Sequence, residues 1–228
     1  MSPRRPKTGV CAYCGTQGKV TRDHVIPRAL FVRPYPKNPI IVPACRPCNK
    51  GKSHDEDYLR DFLALDYRGS QSPVAQELLR GKVPRSLARS SSELLRVAMR
   101  TIRARPLETR AGIYLGDYLE APVDDDRLYR VLGLVVRGLY YSAREERLLR
   151  TYRVVVVRHD PWDYQRVCDV FLDFPSRPIT RRIGDGQVFW CAFRVATEDP
   201  QITLWQLWFY DRVLFSASSE PSSELADE

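Results

Sequence analysis

Acidic residues are almost missing from the first quarter of this sequence. Up to His54, Asp23 is the lone carboxylate, set against eleven Lys and Arg. The whole chain carries 36 Lys and Arg against 28 Asp and Glu, a net charge of +8, so the excess lies entirely in that segment. A concentrated basic segment draws polyanions by counterion release and long-range steering. Long apolar runs are missing too: none approaches the ~18 residues that a membrane-spanning helix needs. The N-terminus, Met-Ser-Pro-Arg-Arg-Pro-Lys, has no apolar core behind its charges, which argues against a secretory signal and predicts an intracellular, cytoplasmic protein. No internal repeat is visible. With 43% apolar residues over 228 positions, the chain can still bury a genuine core, as one large domain or two small ones.

Cysteine is sparse but patterned. Cys11 and Cys14 form one C-x2-C pair and Cys45 and Cys48 another, while Cys168 and Cys191 stand alone in apolar surroundings and read as core residues. In an intracellular chain, two such knuckles indicate a tetrahedral zinc site rather than disulfides. Four thiolates fill the zinc shell, so the metal is expected to be structural. A thioredoxin-like redox role is the competing reading of C-x2-C, but no βαβ pattern surrounds either pair.

Gly18 to Pro27 reads as a turn and a short strand, Arg28 to Pro39 as a Pro- and Arg-rich loop, and Ile40-Ile41-Val42 as a second short strand. Helix follows the second knuckle. Ser53-His54-Asp55-Glu56 has the pattern of a capping box, with Leu59, Phe62, Leu63 and Leu65 behind it. This predicts a helical turn after Cys48, a break near Gly51, and a longer helix to about Asp66. Residues 67–85 contain Gly, Ser and Pro and are expected to be a linker, with a helical hint at 75–79. Residues 86–103 suggest an Arg-rich amphipathic helix. Asp124-Asp125-Asp126 opens a strong helix to about Tyr141. Strands are expected at 152–158, 187–195 and 202–215, the last two as an antiparallel hairpin. The Ser- and Glu-rich tail at 217–228 is expected to be disordered. The expectation is α+β: a zinc module at 1–66, then a helical and mixed region with antiparallel strands at 86–216.

Asp23-His24 lies between the knuckles, and Asn49 directly follows the fourth cysteine. Phosphodiester hydrolysis needs a base for water and a cation for the charge that builds on oxygen. Neutral imidazole suits the first task near pH 7. A carboxylate with an amide oxygen suits a hard ion such as Mg2+. Neighbours on a strand face opposite ways, so Asp23 is expected to ligate while His24 acts as base. Arg46, Lys50 and Lys52 are candidates for phosphate contact. His54 could add a ligand, but its place in the capping pattern favours a structural role.

Cys11-x2-Cys14, Asp23-His24-x2-Pro27, Cys45-x2-Cys48-Asn49 and Lys52 resemble the HNH endonucleases of the ββα-metal, treble-clef type, over about residues 8–66. The resemblance implies His24 as general base, Asp23 and Asn49 as ligands of one Mg2+ or Mn2+, and products with 5′-phosphate and 3′-hydroxyl ends. One position departs from the family: its middle Asn, which braces the histidine loop, is Ile40 here, with Asn38 two residues earlier as a substitute. The expected partner is DNA, with the C-terminal region supplying substrate choice, dimerisation or a link into a larger complex. A treble-clef zinc module that only binds nucleic acid is the alternative. The aromatics Phe189, Trp190, Trp205, Trp208, Phe209 and Tyr210 could stack bases, although such alternation more often builds a core.

Overall fold

In the computed structural model, which describes residues 7–89, 101–109, 111–120 and 122–222, the basic segment becomes a three-stranded antiparallel sheet with a helix across it. β1 (Lys7–Val10) and β2 (Gln17–His24) pair through the turn that holds the first two cysteines. β3 (Ile41–Cys45) pairs on the other side of β2. Gly15 sits in that turn at φ +76°, a left-handed conformation that glycine adopts without strain, and an added Cβ would strike the Arg147 guanidinium. α1 (Arg46–Leu65) starts directly after Cys45 with a proline in its first turn, where the missing N–H costs no helical bond.

The expected break near Gly51 is absent, and α1 runs unbroken. Ser53 does not cap: its hydroxyl donates to the Asn49 carbonyl one turn back, and Glu56 pairs with Lys52 instead. The reason is the face that α1 buries. Lys52, Asp55, Leu59 and Leu63 follow at helical spacing and are all buried. That packing outweighs the roughly 1 kcal/mol a helical glycine costs.

Residues 67–85, expected as a linker, instead carry α2 (Pro73–Arg80) and the first half of α3 (Lys82–Arg89). Ala75, Leu78 and Val83 are buried in the core. Arg68 is held by Asp66, the His159 carbonyl and the Tyr164 hydroxyl. The Arg-rich helix expected at 86–103 coincides with α3 only as far as Arg89; residues 90–100 lie outside the described residues. A hairpin of β4 (Arg103–Glu108) and β5 (Tyr114–Glu120) follows.

α4 (Asp125–Arg144) opens at the acidic run, with the Asp124 side chain accepting from the Arg127 backbone N–H, and it buries Leu128, Val131, Leu132, Val135 and Leu139 as their spacing predicts. Buried Asp55 fastens α1 to it, accepting from Arg127 Nε at 2.9 Å and Arg130 Nε at 2.7 Å. Then come β6 (Tyr152–Arg158), α5 (Tyr164–Asp173), β7 (Ile179–Ile183), β8 (Phe189–Val195), β9 (Thr203–Phe209) and β10 (Val213–Pro221). These five strands form one antiparallel sheet in the order β6-β10-β9-β8-β7.

The β8–β9 hairpin is as expected, but the run at 202–215 divides. Tyr210 and Asp211 both take positive φ and turn the chain back into β10. β10 then continues to Pro221, so residues 217–221 of the expected tail are strand, and residues 223–228 lie outside the described residues. β10 pairs with β9 and β6, with Ala217 and Ser219 facing inward. Phe189, Trp205, Phe209 and Tyr210 are buried, while Trp190 and Trp208 stack on each other at 5.4 Å. These rings build the sheet rather than offer free faces. One hydrophobic cluster runs from Tyr13 and Val25 through Leu59 and Val131 to Trp205 and Phe215. The fold is mixed α+β, and among the described residues no helix is long and apolar enough to cross a membrane.

Candidate functional site

The β1–β2 turn and the β3–α1 junction bring all four knuckle cysteines together. Their sulfurs lie within 4.8 Å of one another, and Cys14 Sγ and Cys45 Sγ are 3.6 Å apart. A tetrahedral site with Zn–S bonds of about 2.3 Å has S–S edges of about 3.8 Å, so the donor set fits. Burial opposes the Cys14 thiolate, but contacts with Thr16 and then with Cys11 and Cys45 outweigh it and bring the thiol down to about 6. Burial raises the Cys45 and Cys48 thiols. Four sulfurs at this spacing match the donor set of one metal ion, and the cluster can hold a structural metal such as zinc.

Asp23 and His24 leave β2 on opposite sides, as strand geometry requires. Asp23 points inward and is buried. Its Oδ2 accepts from the Tyr13 hydroxyl and from Lys52 Nζ at 3.0 Å. The Lys52 ammonium, fully buried, also donates to the His24 carbonyl at 2.5 Å and pairs with Glu56 at 2.9 Å. Lys52 therefore contacts no phosphate: it lies inside the module, locking α1 to the end of β2. Burial pushes the Glu56 carboxyl up in spite of Lys52, and burial together with Asp23 raises the Tyr13 hydroxyl. Counting Asp23, Lys52 and Glu56 as ionised, the cluster keeps one net negative charge. Among the described residues no hydrogen bond reaches Asp23 Oδ1.

Asn49 stands on the same side of β2. Its Nδ2 donates at 2.9 Å to Thr21, two residues before Asp23 on the same strand face, and no hydrogen bond joins Asn49 to Asp23. Arg46 and Lys50 are exposed at the start of α1. The side chain of His54 lies outside the described residues.

His24 is half-buried and lines a cleft of about 280 Å3 with Arg28, Tyr35, Pro39, Ile40 and Ile183. Burial first, then the positive charge of Arg28, holds its imidazole below the usual 6.5. Asn38 does not brace the histidine loop. Its Nδ2 donates to the Arg182 carbonyl at 3.1 Å and its Oδ1 accepts from the Gly184 N–H at 2.8 Å, which ties the loop to the far sheet instead. Ile40, five residues before Cys45, holds the end of β2 through its backbone: its carbonyl accepts from the Val25 N–H at 2.9 Å.

Arg28 and Tyr35 also belong to this region; both lie in the Pro- and Arg-rich loop, and an Arg four residues from a candidate base is a readable signal. Tyr13 and Lys82 give none, because their roles depend on tertiary contacts, whereas the Lys52–Glu56 pair is an i,i+4 spacing on one helix. A larger cavity, about 400 Å3, lies beside α5 and is lined by His159, Asp163 and Ser216. The His159 ring meets Ser216 Oγ at 2.7 Å there, but among the described residues no carboxylate hydrogen-bonds His159, so a nucleophile–base–orienter chain is incomplete. The chain matches no protein-family model, no curated protein and no solved structure.

Proposed function

We propose that this protein is a metal-dependent endonuclease of the HNH type, built on a zinc-stapled ββα-metal (treble-clef) module and acting on DNA. The observation that carries the reading is the opposed pair at the end of β2: Asp23 is pinned inside by Tyr13 and Lys52, while His24 is left facing a basic cleft. An imidazole held below 6.5 is neutral at pH 7, so His24 accepts the proton of the attacking water at a ring nitrogen. The water oxygen then bonds to phosphorus as the P–O3′ bond breaks, and the 3′ oxygen leaves with a proton taken from solvent; the HNH resemblance implies this side of cleavage, with 5′-phosphate and 3′-hydroxyl ends.

Asp23 and Asn49 supply two oxygen donors on one side of β2, and the Lys52–Glu56 ion pair beside them leaves the Asp23 charge uncompensated. This suits a hard cation that keeps most of its waters. Bound there, Mg2+ or Mn2+ would stabilise negative charge on the phosphate oxygens. Tyr13 and Lys52 serve this chemistry by fixing the Asp23 carboxylate through Oδ2, leaving Oδ1 for a ligand. Lys52 also fixes the end of β2 through the His24 carbonyl. Zinc would play no part in the reaction, its shell being closed by four cysteines.

The alternative, a module that binds nucleic acid without cutting it, is favoured by one observation: Lys52 already places a positive charge 3.0 Å from Asp23. A plasmid-nicking assay with Mg2+, Mn2+ and EDTA arms separates the two. The nuclease nicks with either cation and stops in EDTA; the binding module nicks in none of the arms.

A further inference from the structure

Tyr35, in the wall of the cleft beside His24, gathers positive charge around its ring without neutralising it. Arg28 lies over the Tyr35 ring with its guanidinium carbon 4.2 Å from the centroid. The Lys82 ammonium is 5.6 Å and the Arg33 guanidinium 6.0 Å from the same centroid. Among the described residues none of these three cations has a carboxylate partner. Among the described residues Lys82 gives one hydrogen bond, to the Phe31 carbonyl at 2.7 Å, out of the three its ammonium can donate. Three like charges around one ring repel, and the ring's negative face offsets this only in part. Such an arrangement is relieved by a bound anion.

The elements that build the cluster point the same way. Arg28, Arg33 and Tyr35 come from the loop after β2, but Lys82 comes from α3, and Ile183 at the end of β7 lines the cleft from the other sheet. Asn38 fastens the loop to that sheet by two hydrogen bonds. At about 280 Å3 the cleft lies just below the usual range of small-ligand pockets, a scale suited to a single nucleotide unit. A guanidinium already held over an aromatic ring loses less freedom on gripping a phosphate than one free in solvent.

We infer that Arg28, Arg33 and Lys82, gathered on Tyr35, form an anion subsite that holds the nucleic-acid backbone phosphates next to the one attacked by the water that His24 deprotonates. This rests on the nuclease reading for what happens at His24, but binding itself does not require cleavage. Tyr35 is a positioning residue: it orients Arg28 and touches no reacting atom. The subsite belongs to the whole chain, since Lys82 lies beyond the zinc module.

The test uses the full chain and a fluorescein-labelled DNA duplex, with affinity measured by anisotropy over a series of salt concentrations without added divalent cation. Arg28→Gln with Lys82→Gln should weaken binding at least tenfold and flatten the log-affinity against log-salt slope by about one to two units, at about 0.9 per phosphate contact. Tyr35→Leu should weaken binding while leaving the slope nearly intact, and Tyr35→Phe should restore it. Unaltered zinc content and circular dichroism confirm that the variants are folded. An unchanged slope in the double variant, or a wild-type protein with no salt-dependent binding, overturns the subsite. If wild type binds but does not cut while the double variant loses slope, the nuclease reading falls and the subsite stands. Cutting by wild type with an unchanged slope has the reverse meaning.

Discussion

Replacing Lys52 by Met should destabilise the protein far more than any change to an exposed lysine. The ammonium is fully buried and satisfies three oxygens: Asp23 Oδ2 at 3.0 Å, Glu56 Oε1 at 2.9 Å and the His24 carbonyl at 2.5 Å. Met keeps the volume and removes the charge. Two carboxylates are then left facing each other inside the module, and a backbone carbonyl loses its donor. Breaking a buried pair from one side costs about 3–5 kcal/mol, and an orphaned carbonyl about 1–3. The two overlap, because the site relaxes once, so the expected loss at pH 7 is about 3–5 kcal/mol. The loss should shrink on acidification. Burial already raises the Glu56 carboxyl above its unfolded value, and removing Lys52 raises it further. A carboxyl with a raised folded pKa stabilises the protein at low pH, and that contribution disappears as pH climbs through the folded value. The Lys52→Met deficit should therefore be smaller at pH 5 than at pH 7. Urea unfolding at both values, followed by tryptophan fluorescence, measures it. A variant within about 1 kcal/mol of wild type at pH 7, with the same pH dependence, would refute the buried cluster.

Elemental analysis should find about one zinc per chain, and Cys45→Ser should lose the metal and unfold the strands it staples; native protein without zinc would rule the metal out. Asp55 should contribute to acid unfolding. Burial opposes its charge, but hydrogen bonds from Arg130 and Arg127 outweigh that and lower its carboxyl, so its stabilisation is present above the unfolded value near 3.9 and lost as pH falls. Asp55→Asn should be less stable at pH 7 and flatter between about pH 5 and 3, as read by pH-dependent melting. Gly138→Ala would place a Cβ 2.8 Å from a Val25 methyl, beside the end of β2. Overpacking of about 1–3 kcal/mol should outweigh the gain in helix propensity of up to about 1, giving a net loss of about 1 kcal/mol in urea unfolding.

The features legible in the sequence were those written in local pattern. Two C-x2-C pairs foretold the sulfur cluster, the acid run at 124–126 placed the start of α4, and the strand pattern at 23–24 foretold that Asp23 and His24 face opposite ways. Lys52 was misjudged although its signal was present: 52, 55, 59 and 63 are one face of a helix, but the capping pattern at Ser53 hid that phase by suggesting a break. The turn at Tyr210-Asp211 was missed because positive φ there usually comes with Asn-Gly. The serines after Phe215 look like a tail, but alternation puts Ala217 and Ser219 inside, and a central strand satisfies their backbone. The partners of Asn38 lie more than 140 positions away, and Lys82 reaches Tyr35 only through the packing of α3. No local pattern encodes either.

The central claim, that His24 is the base of a nuclease, is met most directly by single-turnover cleavage of plasmid DNA by wild type and His24→Ala over a range of Mg2+ and Mn2+ concentrations. His24→Ala should keep its fold, zinc and DNA affinity and cut about 10²–10⁴-fold more slowly, the usual share of general base catalysis. Added cation should not restore it, because a metal ion does not replace a proton acceptor, whereas Asp23→Ala and Asn49→Ala should recover in part. Equal cleavage by wild type and His24→Ala, or no cation-dependent cleavage by wild type, would contradict the account.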